Sequence, residues 1–144
     1  MTSNGLCDIP DSYLLVSCKI ANKQVRALVD SGAQPTVVKR SLVPLGTPIV
    51  YQNWCLKGVK GPRINIVGTD DIPFEVGYKC FTQNCVVVED SVIDFPASAD
   101  VIIGANMLIL HQLDVSPSTW ALLHDGEFLQ HFEPSRVDGH IFRT

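Results

Sequence analysis

Residue 30 is an aspartate placed between the apolar run Ala27-Leu28-Val29 and the triplet Ser31-Gly32-Ala33, with a second apolar stretch, TVV, at 36–38. Further along the chain, DVIIG at 100–104 ends an aliphatic run in a glycine. A carboxylate at the end of a buried strand is costly unless hydrogen-bonded, and it commonly responds by changing its protonation. That is the environment in which an acid transfers protons, taking one in one state and giving it up in another. Gly32 has no Cβ, so backbone or a bound molecule can approach closely there. Asp-Ser-Gly is also an ordinary turn sequence, since all three residue types favour turns. The triplet alone does not separate these two readings.

Other chemistries find less support. His111, His124, His131 and His140 are scattered, and no Ser-His-Asp or Cys-His motif accompanies them. They read as surface residues, with His111 late in a predicted helix where a positive charge suits the dipole. The five cysteines, Cys7, Cys18, Cys55, Cys80 and Cys85, are odd in number and irregular in spacing, which predicts free thiols in a reducing compartment. Cys80 and Cys85 would face each other across a hairpin, CFTQNC, and no second Cys/His pair stands at zinc-site spacing, so neither a metal nor a cofactor is expected. The net charge is −4, without a run of Lys/Arg to follow a phosphate backbone, which argues against nucleic acid as a partner. The apolar runs are too short to span a bilayer, so no membrane partner is expected. The N-terminus lacks a basic start and an apolar core, and there is no Asn-x-Ser/Thr sequon. These features predict an intracellular address, cytoplasm or virus-like particle, and not secretion.

The elements that must position Asp30 are mostly strands. At 144 residues, 46% hydrophobic and 18% charged, the chain reads as one domain able to bury a core. YLLVSCKI (13–20) and QVRALV (24–29) flank ANK and predict a β-hairpin. Strands are also predicted at 36–38, IVYQNWCL (49–56), INIVG (64–68), IPFEVGY (72–78) and CVVVED (85–90). One segment, GANMLILHQL (104–113), predicts a helix, and 113–132 predicts one or two more strands with turns at SPST and HDGE. The pattern is that of a small all-β barrel or sandwich, without an internal repeat. Residues 1–12 read as an N-terminal extension or dimer-contact segment, 13–132 as the domain, and 133–144 as a polar tail or linker. Trp54 and Trp120 read as core or interface anchors.

Taken together, apolar-apolar-Asp-Ser-Gly-Ala and the later VIIGANML resemble the two signatures of the retropepsins, the aspartic proteases of retroviruses and LTR retrotransposons with cellular relatives. VSCKIANKQVRALVDSG also resembles, without gaps, the family's hairpin leading into the catalytic turn. The resemblance implies a small closed β-barrel with one short C-terminal helix, working as a symmetric homodimer. It implies Asp30 as the catalytic acid, with Ser31, Gly32 and Ala33 supporting the active-site loop and Ile103-Gly104 as the motif before the helix. Leu28, Val37 and Ile102 are implied as pocket walls, although core packing is an equal reading for each. GVKG, comprising Gly58, Val59, Lys60 and Gly61, is similar to the family's flap tip, a hairpin that closes over bound peptide.

Such chemistry needs two carboxylates sharing one proton around a water, and the titration then belongs to the pair. This chain has one matching acid, because Asp100, Asp114, Asp125 and Asp138 lack the aliphatic lead-in or the Ser-Gly. A second copy of the chain is therefore the expected partner, with Asp30 contributed by each subunit. The implied activity is endopeptidase cleavage of extended peptide, within a polyprotein. The competing reading is a dimerisation or peptide-binding module with little or no proteolysis. A dUTPase, another small β enzyme, would need nucleotide motifs that are missing. In many viral members an acid following the Asp-Thr-Gly-Ala pairs with an arginine after the Ile-Gly. Gln34 and Ala105 stand at those places here, which leaves open how the loop is tied to the helix.

Overall fold

The computed structural model describes residues 13–44, 47–51, 55–57, 63–91, 95–137 and 140–142. In chain order the strands are β1 (Leu15–Ile20), β2 (Lys23–Val29), β3 (Val37–Lys39), β4 (Val50–Tyr51), β5 (Cys55–Lys57), β6 (Arg63–Asn65), β7 (Gly68–Val76), β8 (Lys79–Val88) and β9 (Val101–Ile103). The helix α1 (Ala105–Leu110) follows, then β10 (Leu113–Ser116), β11 (Ala121–His124), β12 (Glu127–His131), β13 (Ser135–Val137) and β14 (His140–Phe142). Trp54 lies outside the described residues.

The predicted first hairpin forms, and its turn is the two residues Ala21 and Asn22, both with positive φ (52° and 65°). That backbone matches the twist of the strands it joins. Alternation then sorts the side chains: Val16, Cys18, Ile20, Val25, Ala27 and Val29 enter the main core, while Leu15 and Leu28 pair on the opposite face.

The strands expected at 72–78 and 85–90 belong to one long hairpin, β7 with β8, reversed at Gly77 (φ 59°), while β6 covers only the start of the one expected at 64–68. Of the polar residues between the expected strands, Asp71 and Asn84 lie on the outside, whereas Asp70 and Gln83 are buried. Asp71 and Asn84 stand opposite each other, and Asn84 Nδ2 donates to Asp71 Oδ1 at 2.9 Å. This corrects the expectation for Cys80 and Cys85, which sit on the same strand, the first exposed and the second buried. Five residues at about 3.3 Å each put them roughly 16 Å apart, well beyond disulfide reach.

The principal sheet runs β1-β2-β9-β3-β8-β7, and β7 returns to β1 at Lys19–Glu75, closing a six-stranded barrel with β4 added on β7. Within it β9 lies parallel to β2 and antiparallel to β3, and β3 lies parallel to β8. The barrel interior holds Ile72, Phe74, Val87, Val101, Ile103 and Met107, all essentially inaccessible. Beyond the helix, β10, β11 and β12 form a meander whose second turn is Asp125-Gly126 (φ 55° and 84°). β13 and β14 pair antiparallel where composition predicted a polar tail. Glu133 is tied back to the barrel by a bidentate pair with Arg26 (2.9 and 3.0 Å), and the Trp120 indole donates to the Glu133 carbonyl at 2.6 Å.

The helix is shorter than predicted. It ends at Leu110 because Gln112 turns left-handed (φ 55°) to send Leu113 into the core. His111, expected as a surface cation, lies edge-on to Phe81 at 5.1 Å with Nε2 3.1 Å from Gln83 Oε1. His124 packs on the same Phe81 ring, also at 5.1 Å. Burial, and secondarily the neighbouring His124, hold the His111 imidazole below its ordinary 6.5, although a bond to the Thr82 backbone opposes the shift. The ring thus packs against Phe81, and its lowered value disfavours a role as counter-charge to the helix dipole.

A folded-state value below the unfolded one means that the unfolded chain binds the proton more tightly. The contribution of His111 is present above about pH 6.5 and is lost as pH falls through the folded value. Thermal melts from about pH 7.5 to 5 should therefore show a smaller loss of Tm for His111→Gln than for the wild type. Parallel pH dependences for the two proteins would show that His111 is not the group involved.

Candidate active site

The barrel presents Asp30 through hydrogen bonds on both sides of it. β2 is buried up to Val29, and the Asp30 N–H then donates to the Ile103 carbonyl at 3.0 Å, locking the end of β2 to the end of β9. The chain turns at once: the Ala33 N–H donates to the Asp30 carbonyl (3.1 Å), and the Gly32 N–H to Asp30 Oδ1 (2.9 Å). A Cβ on Gly32 would lie 3.2 Å from that same oxygen, a tight approach that the glycine relieves. Asp30, Ser31 and Gly32 are exposed and Ala33 half-buried. This corrects the expectation that the strand end itself buries the acid. Within one chain the barrel closes beneath Val29, and the turn carries the carboxyl out past it.

The helix holds this turn from behind. Ala105 N–H donates to the Ala33 carbonyl at 2.7 Å, and Asn106 N–H to the Gln34 carbonyl at 3.1 Å. Thr36, fully buried, accepts the Gly104 N–H on its Oγ1 (3.1 Å) and donates from it to Asn106 Oδ1 (2.8 Å). Gly104 packs so closely that a Cβ there would lie 2.1 Å from the Pro35 carbonyl oxygen and 2.9 Å from that of Ala33. Only glycine allows that approach. The positions held by Gln34 and Ala105 thus bind through the backbone, with Thr36–Asn106 supplying the side-chain bond. Sequence reasoning missed both Thr36 and Asn106. The available signal was a threonine just before two strand valines together with an asparagine in the first helical turn.

The implied pocket residues come together in part. Leu28 and Val37 are buried, and half-buried Ile102 packs with them, in a second apolar cluster distinct from the main core. The cluster also contains Val86 and Phe95, with Leu56 of β5 and Ile64 of β6 against it. The β5–β6 hairpin therefore lies over the face that carries Leu28, Val37 and Ile102. Its connecting residues Gly58, Val59, Lys60 and Gly61 lie outside the described residues. Ile103 belongs to the main core. Among the described residues no cluster of His, Cys, Asp or Glu is placed to hold a metal ion.

A closed six-stranded barrel with an Asp-Ser-Gly-Ala turn locked against an Ile-Gly-helix corner defines a class. The retroviral aspartyl protease family model matches residues 12–116, and the chain belongs to that family. The retroviral protease-like domain of Ddi1 from Leishmania major is similar in structure, with a TM-score of 0.66 at 25% sequence identity, over 85% of this chain and 95% of that one. No curated protein gives a significant sequence match.

Replacing Thr36 by valine keeps the volume but strips partners from the Gly104 N–H and Asn106 Oδ1. Leaving a buried donor unsatisfied costs about 1–3 kcal/mol. Denaturant unfolding of Thr36→Val should show a loss in that range, while Thr36→Ser retains most of the stability. A loss below about 0.5 kcal/mol would mean that the hydroxyl does not hold the corner.

Proposed function

We propose that this chain is a homodimeric aspartic endopeptidase that cleaves extended peptide segments, as in the processing of a polyprotein. The observation that carries the reading is the exposed Asp30 carboxyl at the tip of a turn immobilised by the helix and by β9, in a chain of the retroviral aspartyl protease family. An acid held rigidly and left open on one side is half of a site. The other half is the Asp30 of a second copy, facing the first across a two-fold axis.

Two carboxylates a few ångströms apart cannot both ionise cheaply, so the pair holds one proton. The ionised member draws a proton from a water lying between them as that water attacks the peptide carbonyl. The protonated member hydrogen-bonds the carbonyl oxygen, and the proton then passes to the leaving nitrogen. The Gly32 N–H already on Asp30 Oδ1 fixes which oxygen is committed to the loop and which is left for the water. Ser31, exposed beside the acid, would bond across the axis and stiffen both turns. Substrate would run as a strand between this floor and the β5–β6 hairpin, with alternate side chains against Leu28, Val37 and Ile102. In the sequence, Lys57, Lys60 and Arg63 make the stretch from 57 to 63 basic, which favours acidic residues flanking the scissile bond.

The test is digestion of a mixed peptide library at about pH 4 to 7, the range in which a carboxyl pair can hold one proton. Dimerisation is verified in parallel. The wild type should cleave, and Asp30→Asn should lose activity by about 10²–10⁴-fold or more. Absence of cleavage by a verified wild-type dimer across that range would instead favour a peptide-binding or dimerisation module.

A further inference from the structure

The far end of α1 presents a surface that the proposed peptidase chemistry does not use. The helix buries Met107 but leaves Ile109 and Leu110 77% and 66% exposed. Two adjacent aliphatics on the outer side of a short helix are unusual, since that face ordinarily carries polar residues. Ile109 lines a groove of about 540 Å³ between α1 and the Asp125-Gly126 turn. Leu108 and Ile109 form its wall, Leu113 its floor, and Asp114 and Asp125 its rim.

The groove is preformed. The Asp125 N–H donates to the Gln112 carbonyl at 2.9 Å, so the helix exit and the opposite turn are bonded to each other. At the mouth, Gly126 is open, with no atom within 4 Å of where a Cβ would stand. Its volume is in the range that accepts one or two large side chains. Its charge selects the occupant. Neither rim carboxylate forms an ion pair or side-chain hydrogen bond among the described residues, and Glu127, next to the same turn, is exposed as well. An open groove with leucine and isoleucine in its lining and two unpaired carboxylates at its edge complements an apolar anchor flanked by cations, and repels an anionic lipid surface.

We propose that this groove is a docking site for a protein segment carrying one large apolar side chain flanked by lysine or arginine. It is separate from the proposed cleavage site, and its test does not require proteolysis.

The probe is the pentapeptide Lys-Lys-Phe-Lys-Lys, titrated into the 144-residue Asp30→Asn protein with backbone amide NMR as the readout. Glu-Glu-Phe-Glu-Glu and Lys-Lys-Gly-Lys-Lys serve as controls. Shifts should concentrate at 108–114 and 125–126, with both controls binding at least tenfold more weakly. Joint replacement Asp114→Asn with Asp125→Asn, and separately Ile109→Ser, should each weaken the probe about tenfold; these side chains are exposed, so folding is retained. Four outcomes would overturn the proposal. Shifts confined to the neighbourhood of Leu28 and Ile102 would place the peptide in the cleft. Equal binding of the lysine- and glutamate-flanked peptides, or no binding at millimolar probe, would remove the charge argument. A change in oligomer mass on Ile109→Ser, by sedimentation, would make the surface a contact between copies of this chain. The peptidase reading stands or falls separately, since loss of cleavage in the wild type leaves this binding result unaffected.

Discussion

One buried hydroxyl holds the corner on which the candidate chemistry rests. Thr36 Oγ1 sits between the Gly104 N–H and the Asn106 side chain, at the junction of the turn carrying Asp30 and the start of the helix. A polar group this deeply buried is tolerable only when its bonds are made, and here they join two segments far apart in sequence. The close approach of Gly104 to Pro35 and Ala33 is the steric counterpart of the same contact. With the Ala105–Ala33 and Asn106–Gln34 backbone bonds it makes turn and helix one rigid piece. An acid on such a support loses little freedom when a second acid is brought against it, which is how a positioned catalytic group gains its advantage.

The barrel explains why the acid is exposed in the isolated chain. Strands β2 and β9 run parallel and end together, and the apolar interior stops at Val29 and Ile103. Past that level the backbone groups of the turn are satisfied by the helix, while among the described residues the Asp30 carboxyl keeps a single donor, Gly32. Burial of the carboxyl and completion of its hydrogen bonding are thus left to whatever covers this end of the barrel. In the proposed assembly that cover is a second copy, so folding and the formation of the site are separate events. The meander β10–β12 lies largely beyond the residues matched to the family, and it pairs β10 within its own chain. Whatever joins two copies must accommodate that arrangement.

Much of this was legible in the sequence where the signal was local. Alternating β-branched residues around Ala21-Asn22 marked the first hairpin, and the Asp-Ser-Gly-Ala and Ile-Ile-Gly stretches marked the two ends that meet. Interactions between distant segments were not legible. Asp71 and Asn84 look like strand breakers until each is seen to face the other across the hairpin. His111 looks like a helix-end cation until Phe81 and His124 arrive from other strands to desolvate it. Cys80 and Cys85 looked like cross-strand partners because the turn was placed between them and not at Gly77. The parallel pairing of 27–29 with 101–103 has no local signature, and the bonds made by Thr36 form only once that pairing brings the helix start to the turn.

The proposed peptidase needs two chains that contribute one acid each to a single site. Subunit mixing tests this directly: wild type is combined with Asp30→Asn at fixed total concentration, allowed to exchange, and assayed for cleavage. If both acids are needed, activity falls as the square of the wild-type fraction. A decline linear in that fraction would mean that each chain works alone, and would contradict the shared site.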